Sequence, residues 1–294
     1  MPGKDSLPTR ILGRTGVRVP ILGFGTASCG IRRDIANGVA LYHRAMEMGV
    51  NYFDTAPSDT GYGRAQKQLA AALKDRRAKA FLVTKCHASG YDETLRLLDA
   101  NLKELGTDHA DLVYAHSLGD LDVDTVVGQR GALRALLRAK EEGRTRFIGV
   151  SGHSRVGKFV RLLNSEMAGE IDVLMVAVNF ADRNTYDFEG RVCPLAARRR
   201  IGLAAMKVFG GANFDSRAMS NAMMPPEHHD RALRYALSLP GVALAVVGMA
   251  TEEELEQNVA RARAFRPLSA AERAAMQEPG RRLARRWGAH YGPA

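Results

Sequence analysis

The chain has 294 residues, 46% of them hydrophobic and 25% charged, enough apolar material for one large α/β domain spanning 1–294. No run of about 18 apolar residues occurs and the opening MPGKDSLPTR has no apolar segment, so neither a transmembrane helix nor a secretory signal is expected, and the cytoplasm is the expected compartment. The formal charge of +10 rests mostly on arginines spaced through alanine- and leucine-rich stretches; with no zinc-finger spacing, basic zipper or RNP-like run, they read as solvated helix faces, not a nucleic-acid surface.

In chain order, TRILGRTGVRVP reads first as a hairpin turning at GRTG. Short apolar runs then alternate with amphipathic ones. The runs are ILGFG (21–25), VNYFD (50–54), FLVTK (81–85), DLVYA (111–115), RFIGV (146–150), VLMVAV (173–178), IGLAAM (201–206) and LAVVG (244–248). Segments of helical period follow, such as ANGVALYHRAMEMG, DETLRLLDANLKELG and GALRALLRAKEEG. Gly49, Gly106 and Gly143 stand where helix C-caps are expected. Eight near-continuously apolar strands, each followed by a helix, predict a parallel (β/α)8 TIM barrel behind an N-terminal β-hairpin. A doubly wound open sheet is the alternative, but GFGTAS lacks the third glycine of GxGxxG. The irregular stretch 211–226 is a candidate lid. Cys29, Cys86 and Cys193 form no CxxC pair, which argues against disulfides and against a thiolate metal site.

In a parallel barrel, chemistry sits at the C-terminal ends of the strands. Three consecutive strands end in an ionisable group: Asp54, Lys85 and His116. Singly, Asp54 reads equally as a helix N-cap, Lys85 as a snorkelling surface cation and His116 as a core histidine. Together they make a carboxylate that keeps an ammonium charged, a cation that lowers the pKa of a nearby phenol, and an imidazole that orients a carbonyl oxygen. Tyr62, on the glycine-flanked loop after Asp54, is the nearest phenol.

FDTA, GRAQKQLAAAL, LVTK, LGTDHADLVYAHS, GRTRFIGVSGHS and VVGMATEEELEQNV together resemble the aldo-keto reductases, over nearly the whole chain to about residue 265. The resemblance implies a TIM barrel, a nicotinamide cofactor held without a Rossmann domain, and reduction of aldehydes or ketones to alcohols. Some relatives carry an iron–sulfur segment, for which this chain lacks the cysteines. Carried over, the family's acid, lysine and histidine fall on Asp54, Lys85 and His116. Its tyrosine usually lies five residues after the acid, where Asp59 stands; Tyr62 lies eight on. Either Tyr62 swings into the same place, helped by Gly61 and Gly63, or His116 or a water donates the proton.

On the cofactor side, the resemblance places Ser151 against the nicotinamide carboxamide, with Gly152 where an asparagine is usual. Met175 stands for a glutamine and Met206 for a stacking aromatic ring; both read equally as barrel core. Gly25, Thr26 and Asp54 are further expected contacts. KVFGGAN, with Lys207, Phe209 and Gly210, and GMATEEELEQN, with Gly248, Thr251 and Glu254, offer backbone N–H groups for phosphates. Asn258 matches the family's adenine contact. Thr251 with Glu254 also fits a capping box. NADP(H) is the implied cofactor, with NAD(H) the alternative because Ala250 and Glu254 occupy positions where a basic residue would pair the 2′-phosphate; Lys207 is the candidate replacement cation.

The leading expectation is an NAD(P)-dependent reductase of small carbonyl substrates with Tyr62 as proton donor, no metal, and no nucleic-acid or membrane partner. Two alternatives stand beside it: a cofactor-binding sensor or partner protein with little turnover, and a barrel lyase or isomerase using Lys85 as a Schiff base. Selectivity is expected from 116–124, 181–188 and 286–294.

Overall fold

A computed structural model describes residues 6–211 and 222–294. An antiparallel hairpin, β1 (Thr9–Ile11) and β2 (Arg18–Pro20), precedes eight parallel strands. These are β3 (Leu22–Gly25), β4 (Tyr52–Asp54), β5 (Phe81–Cys86), β6 (Ala110–Ala115), β7 (Thr145–Gly152), β8 (Val173–Ala177), β9 (Gly202–Met206) and β10 (Val242–Gly248). They close in sequence order, β10 pairing with both β9 and β3. Of the candidate lid at 211–226, residues 212–221 lie outside the described residues.

Each barrel strand is sandwiched between the interior and a ring of helices, which is why the strands read as unbroken apolar runs rather than alternating ones. The period of two still sorts the two faces. Phe24, Phe53, Leu82, Val113, Ile148, Leu174, Leu203 and Val247 pack outward under the helices. Tyr52, Phe81, Val83, Leu112, Tyr114, Val173, Met175, Ala204, Leu244 and Val246 fill the interior, closed from below by Leu12 and Val19 of the hairpin. The helices end as expected at left-handed glycines: Gly106 (φ 62°) caps Tyr91–Leu105, while Gly49 (φ 92°) and Gly143 (φ 76°) follow the caps of Ile35–Glu47 and Ala132–Glu141. Among the described residues no helix is long and apolar enough to cross a membrane.

Two strands run further at their C-terminal ends than their sequence suggested. β5 continues through Cys86, and β7 extends from Thr145 to Gly152, so Lys85 is not the last residue of its strand and Ser151 lies within one instead of after it. Both extra ends are buried and paired, Cys86 with Ala115 and Gly152 with Val176, so ladder hydrogen bonds decide the boundary there.

Candidate active site

The same two-residue period stacks a polar layer on the apolar interior. Counting inward positions up β4, β5 and β6 from Tyr52, Val83 and Tyr114 gives Asp54, Lys85 and His116, and the register Asp54↔Val83 and Lys85↔Tyr114 brings their side chains to one mouth. Asp54 and Lys85 are almost fully buried, so neither the helix-cap nor the surface reading applies. Lys85 Nζ lies 2.7 Å from Asp54 Oδ1 and 2.8 Å from Oδ2, its hydrogen bond directed at Oδ2. It also donates to the Thr55 carbonyl (2.8 Å) and to Tyr62 Oη (3.0 Å), while the Tyr62 hydroxyl faces Asp54 Oδ2 at 3.4 Å. Two pure acceptors and a hydroxyl thus surround Lys85 Nζ, a setting that favours its charged form.

Local geometry explains how a phenol eight residues past Asp54 reaches Lys85. After Pro57 the extra residues wind into a 3-10 turn, Ser58–Thr60, closed by Thr60 Oγ1 on the Pro57 carbonyl (2.8 Å) and left by Gly61 at φ 88°. The returning chain then presses against the helix Ala27–Arg32. A Cβ on Gly30 would stand 2.1 Å from the Tyr62 carbonyl oxygen, and one on Gly63 (φ 56°) 2.6 Å from the Gly30 carbonyl oxygen. Two glycines thus permit the contact that aims the ring inward. The strand beneath is tied down as well: Asn101 Nδ2 donates to the Lys85 carbonyl (2.8 Å), and Thr84 Oγ1 to Gln66 Oε1 (2.8 Å).

Burial dominates the electrostatics. It raises the Asp54 carboxyl and lowers the Lys85 ammonium, each opposed by the charge of the other. Burial and then the Asp54 carboxylate push the Tyr62 phenol well above its usual value. The net direction is upward, opposite to the lowering expected beside a cation, and the phenol stays protonated. His116 is driven far below the ordinary imidazole range by burial, then by Lys85, His87, His153 and Lys207, so it is neutral. Its ring meets Tyr62 edge-on at 6.3 Å, and its Nδ1 is buried with no partner, as are Thr55 Oγ1 and His153 Nδ1.

Ser151 and Met175 are buried neighbours on β7 and β8, and Met206 tops β9 beside the interior cluster. Ser151 Oγ receives only a long 3.4 Å bond, from the Ser117 N–H. Gly152 is dictated by packing: a Cβ there would lie 2.8 Å from Phe159 Cζ. Gly25 ends β3, pairing with Asp54 and Gly248. Thr26 Oγ1 is occupied by the Asp54 carbonyl (2.9 Å). Gly210 (φ 79°) donates its N–H to the Lys207 carbonyl (2.8 Å), and Phe209 stacks on His229 at 4.2 Å.

Thr251, Glu254 and Asn258 sit apart from this mouth, on the helix Glu252–Arg263. Thr251 Oγ1 accepts from the Glu254 N–H (3.1 Å), but the Glu254 carboxylate reaches the N–H of Ala250 (2.6 Å), so the expected reciprocal capping box is not formed. Asn258 Oδ1 accepts from Arg261 (3.0 Å). The cations beside these positions are ones the sequence reading missed: Arg33 Nε donates to the Ala250 carbonyl (2.5 Å), and Arg32 lies 3.8 Å from Glu254. Lys207, the residue expected there, instead feels Lys85, Asp182 and Asp54 after burial. It tops β9, inside the ring, whereas Arg32 and Arg33 follow β3, whose edge meets β10.

The C-terminal tail completes the mouth. Tyr291 N–H donates to Tyr186 Oη (2.7 Å), Tyr186 Oη to the Gly292 carbonyl (3.1 Å), and the Arg155 N–H to the Pro293 carbonyl (2.8 Å). The Tyr291 ring so held lies 5.5 Å from Lys207 Nζ and 5.0 Å from the His153 ring. Asp182, fixed by Asn179 Nδ2 (2.6 Å), faces His290 Nε2 at 3.7 Å. The expected selectivity segments 181–188 and 286–294 therefore meet here. No signal within either segment foretells the pairing.

Known proteins share this architecture. The chain is 25% identical to L-galactose dehydrogenase of Arabidopsis thaliana, over 85% of this chain and 86% of that protein. It is 24% identical to pyridoxal 4-dehydrogenase of Microbacterium luteolum, over 85% and 91%. An aldo-keto reductase structure from Bacillus halodurans in its holo form superposes with a TM-score of 0.72 at 24% identity, covering 92% of this chain and 96% of that one. One from Klebsiella pneumoniae in complex with NADP and acetate gives 0.74 at 22%, over 93% and 95%. At these identities the structures speak to the fold. The model of the Aldo/keto reductase family matches residues 21–232, and with that match this chain belongs to that family of oxidoreductases.

Proposed function

We propose that the protein reduces aldehydes or ketones to alcohols with a reduced nicotinamide cofactor, NADPH before NADH. The observation that carries this reading is Lys85 Nζ within 3.0 Å of both Asp54 and Tyr62 Oη at the barrel mouth. A nicotinamide fits the residues present: the Ser151 hydroxyl has a proton to give a carboxamide oxygen, and Met175 and Met206 offer an apolar floor. Arg32 and Arg33 would face a 2′-phosphate, with Glu254 competing for Arg32. When bound, the cofactor supplies the hydride.

The chain's own residues do the rest. Neutral His116 and the Tyr62 hydroxyl receive the carbonyl oxygen. As negative charge builds on that oxygen, Tyr62 transfers its proton and takes the charge as a phenolate. Lys85, 3.0 Å away, stabilises the phenolate, and Asp54 keeps Lys85 protonated despite its burial. A phenol held protonated in the resting site is what a proton donor requires.

Steady-state cofactor oxidation over a panel of aldehydes and ketones tests the reading; absence of oxidation with every member would reject it. One feature favours a cofactor-binding protein with little turnover: Gly152 and Met175 offer a carboxamide no side-chain hydrogen bond. Quenching of cofactor fluorescence without turnover would support that second reading.

A further inference from the structure

Lys207 is a second cation at the mouth, and it is built in. Its backbone sits in the left-handed region (φ 57°), a conformation unfavourable for a non-glycine residue. The conformation is held from both sides, because the Lys207 carbonyl accepts from Asn179 Nδ2 (3.0 Å) and from the Gly210 N–H (2.8 Å). The ammonium lies 5.5 Å from the Tyr291 ring, on a tail anchored through Tyr186 and Arg155.

The charges around it leave it unmatched. Asp54 is paired with Lys85; Asp182 accepts from Asn179 Nδ2 and lies 3.7 Å from His290 Nε2, its Oδ1 without a hydrogen bond, and both carboxylates act on Lys207 only at a distance. Among the described residues no carboxylate forms an ion pair with Lys207, and burial followed by the Lys85 charge depresses it. Beside it stand two buried neutral groups outside close hydrogen-bond geometry, His153 Nδ1 and the Tyr291 hydroxyl, the latter near Asp182. A cation without a contacting carboxylate among the described residues, beside two neutral groups able to donate and next to Tyr62 and His116, suits one negative charge on the substrate.

We propose that the preferred substrates are carbonyl compounds bearing a carboxylate, which Lys207 receives together with His153 and Tyr291 while the carbonyl lies at Tyr62 and His116. This rests on the reductase reading above. The competing source of an anion is the cofactor's own phosphates, and the experiment separates the two.

The test compares 4-carboxybenzaldehyde with its uncharged isostere 4-formylbenzamide, in wild type, Lys207→Met and Lys207→Arg. The wild type is expected to favour the acid about 10- to 100-fold in kcat/KM, the range of one charge-assisted contact. That acid-to-amide ratio should fall toward one in Lys207→Met and recover in Lys207→Arg. A wild-type ratio near one, or a ratio unmoved by Lys207→Met, overturns the proposal. So does a Lys207→Met variant whose only defect is weakened NADPH binding, which assigns the lysine to the cofactor. Should no carbonyl be reduced, the reductase reading fails and calorimetry with benzoate decides this one: binding to wild type but not to Lys207→Met supports it, and equal or absent binding overturns it.

Discussion

Replacing Lys85 with methionine keeps length and apolar volume but removes a charge to which three groups are fitted. Asp54 would be left ionised at 4% side-chain exposure, and the Thr55 carbonyl and Tyr62 hydroxyl would lose their donor. Removing one partner of a buried ion pair costs about 3–5 kcal/mol. For a chain of this size each kcal/mol moves Tm by about 2 °C, so calorimetry at neutral pH should find Lys85→Met melting roughly 6–10 °C lower. Adding Asp54→Leu should restore more than half of the loss, because no uncompensated charge then remains. The pH dependence has a definite sign. Without the ammonium the folded-state pKa of Asp54, already raised by burial, rises further, so the ionised carboxylate destabilises above it and protonation relieves the strain below it. The deficit of Lys85→Met against wild type should therefore narrow as pH falls. A loss under about 2 °C, a deficit that widens in acid, or a double variant as unstable as the summed singles would refute the idea that this pair is held together by mutual compensation.

Three further outcomes follow from particular contacts. His153 is pushed down to about 4, so its contribution to stability is complete above an unfolded value of about 6.5 and is lost as pH falls toward 4; His153→Asn should flatten the Tm–pH slope in that window, and an unchanged slope contradicts the assignment. Gly152→Asn should destabilise by about 1–3 kcal/mol through Phe159, as denaturant unfolding would measure, with Phe159→Leu recovering part of it; a neutral Gly152→Asn would refute the packing account. Glu254→Gln releases Arg32, and the NADPH-to-NADH ratio of kcat/KM should rise several-fold; a fall would place the cofactor's 2′ position elsewhere.

The barrel was legible because its strands are buried on both faces and therefore spell themselves as apolar runs, with Asp54, Lys85 and His116 each two residues above an interior side chain. Strand ends were less so: whether Cys86 and Gly152 join the ladder depends on partners about thirty residues away, not on their own type. The path of Tyr62 was not legible, since it depends on Gly30 leaving room for a loop more than thirty residues later. Arg32 and Arg33 looked like helix surface because their neighbours, Ala250 and Glu254, lie across the closing seam between β3 and β10. Lys207 reads from its own stretch as a phosphate ligand; that Asp182 and Tyr291 approach it from two distant segments is not legible there.

The proposed mechanism has the hydroxyl 3.0 Å from Lys85 Nζ give up the proton. Single-turnover reduction of a carbonyl substrate by Tyr62→Phe, with cofactor and substrate saturating, tests it most directly. The rate of the chemical step should fall about 10²- to 10⁴-fold with cofactor affinity retained. A Tyr62→Phe enzyme that turns over within a few-fold of wild type would contradict it.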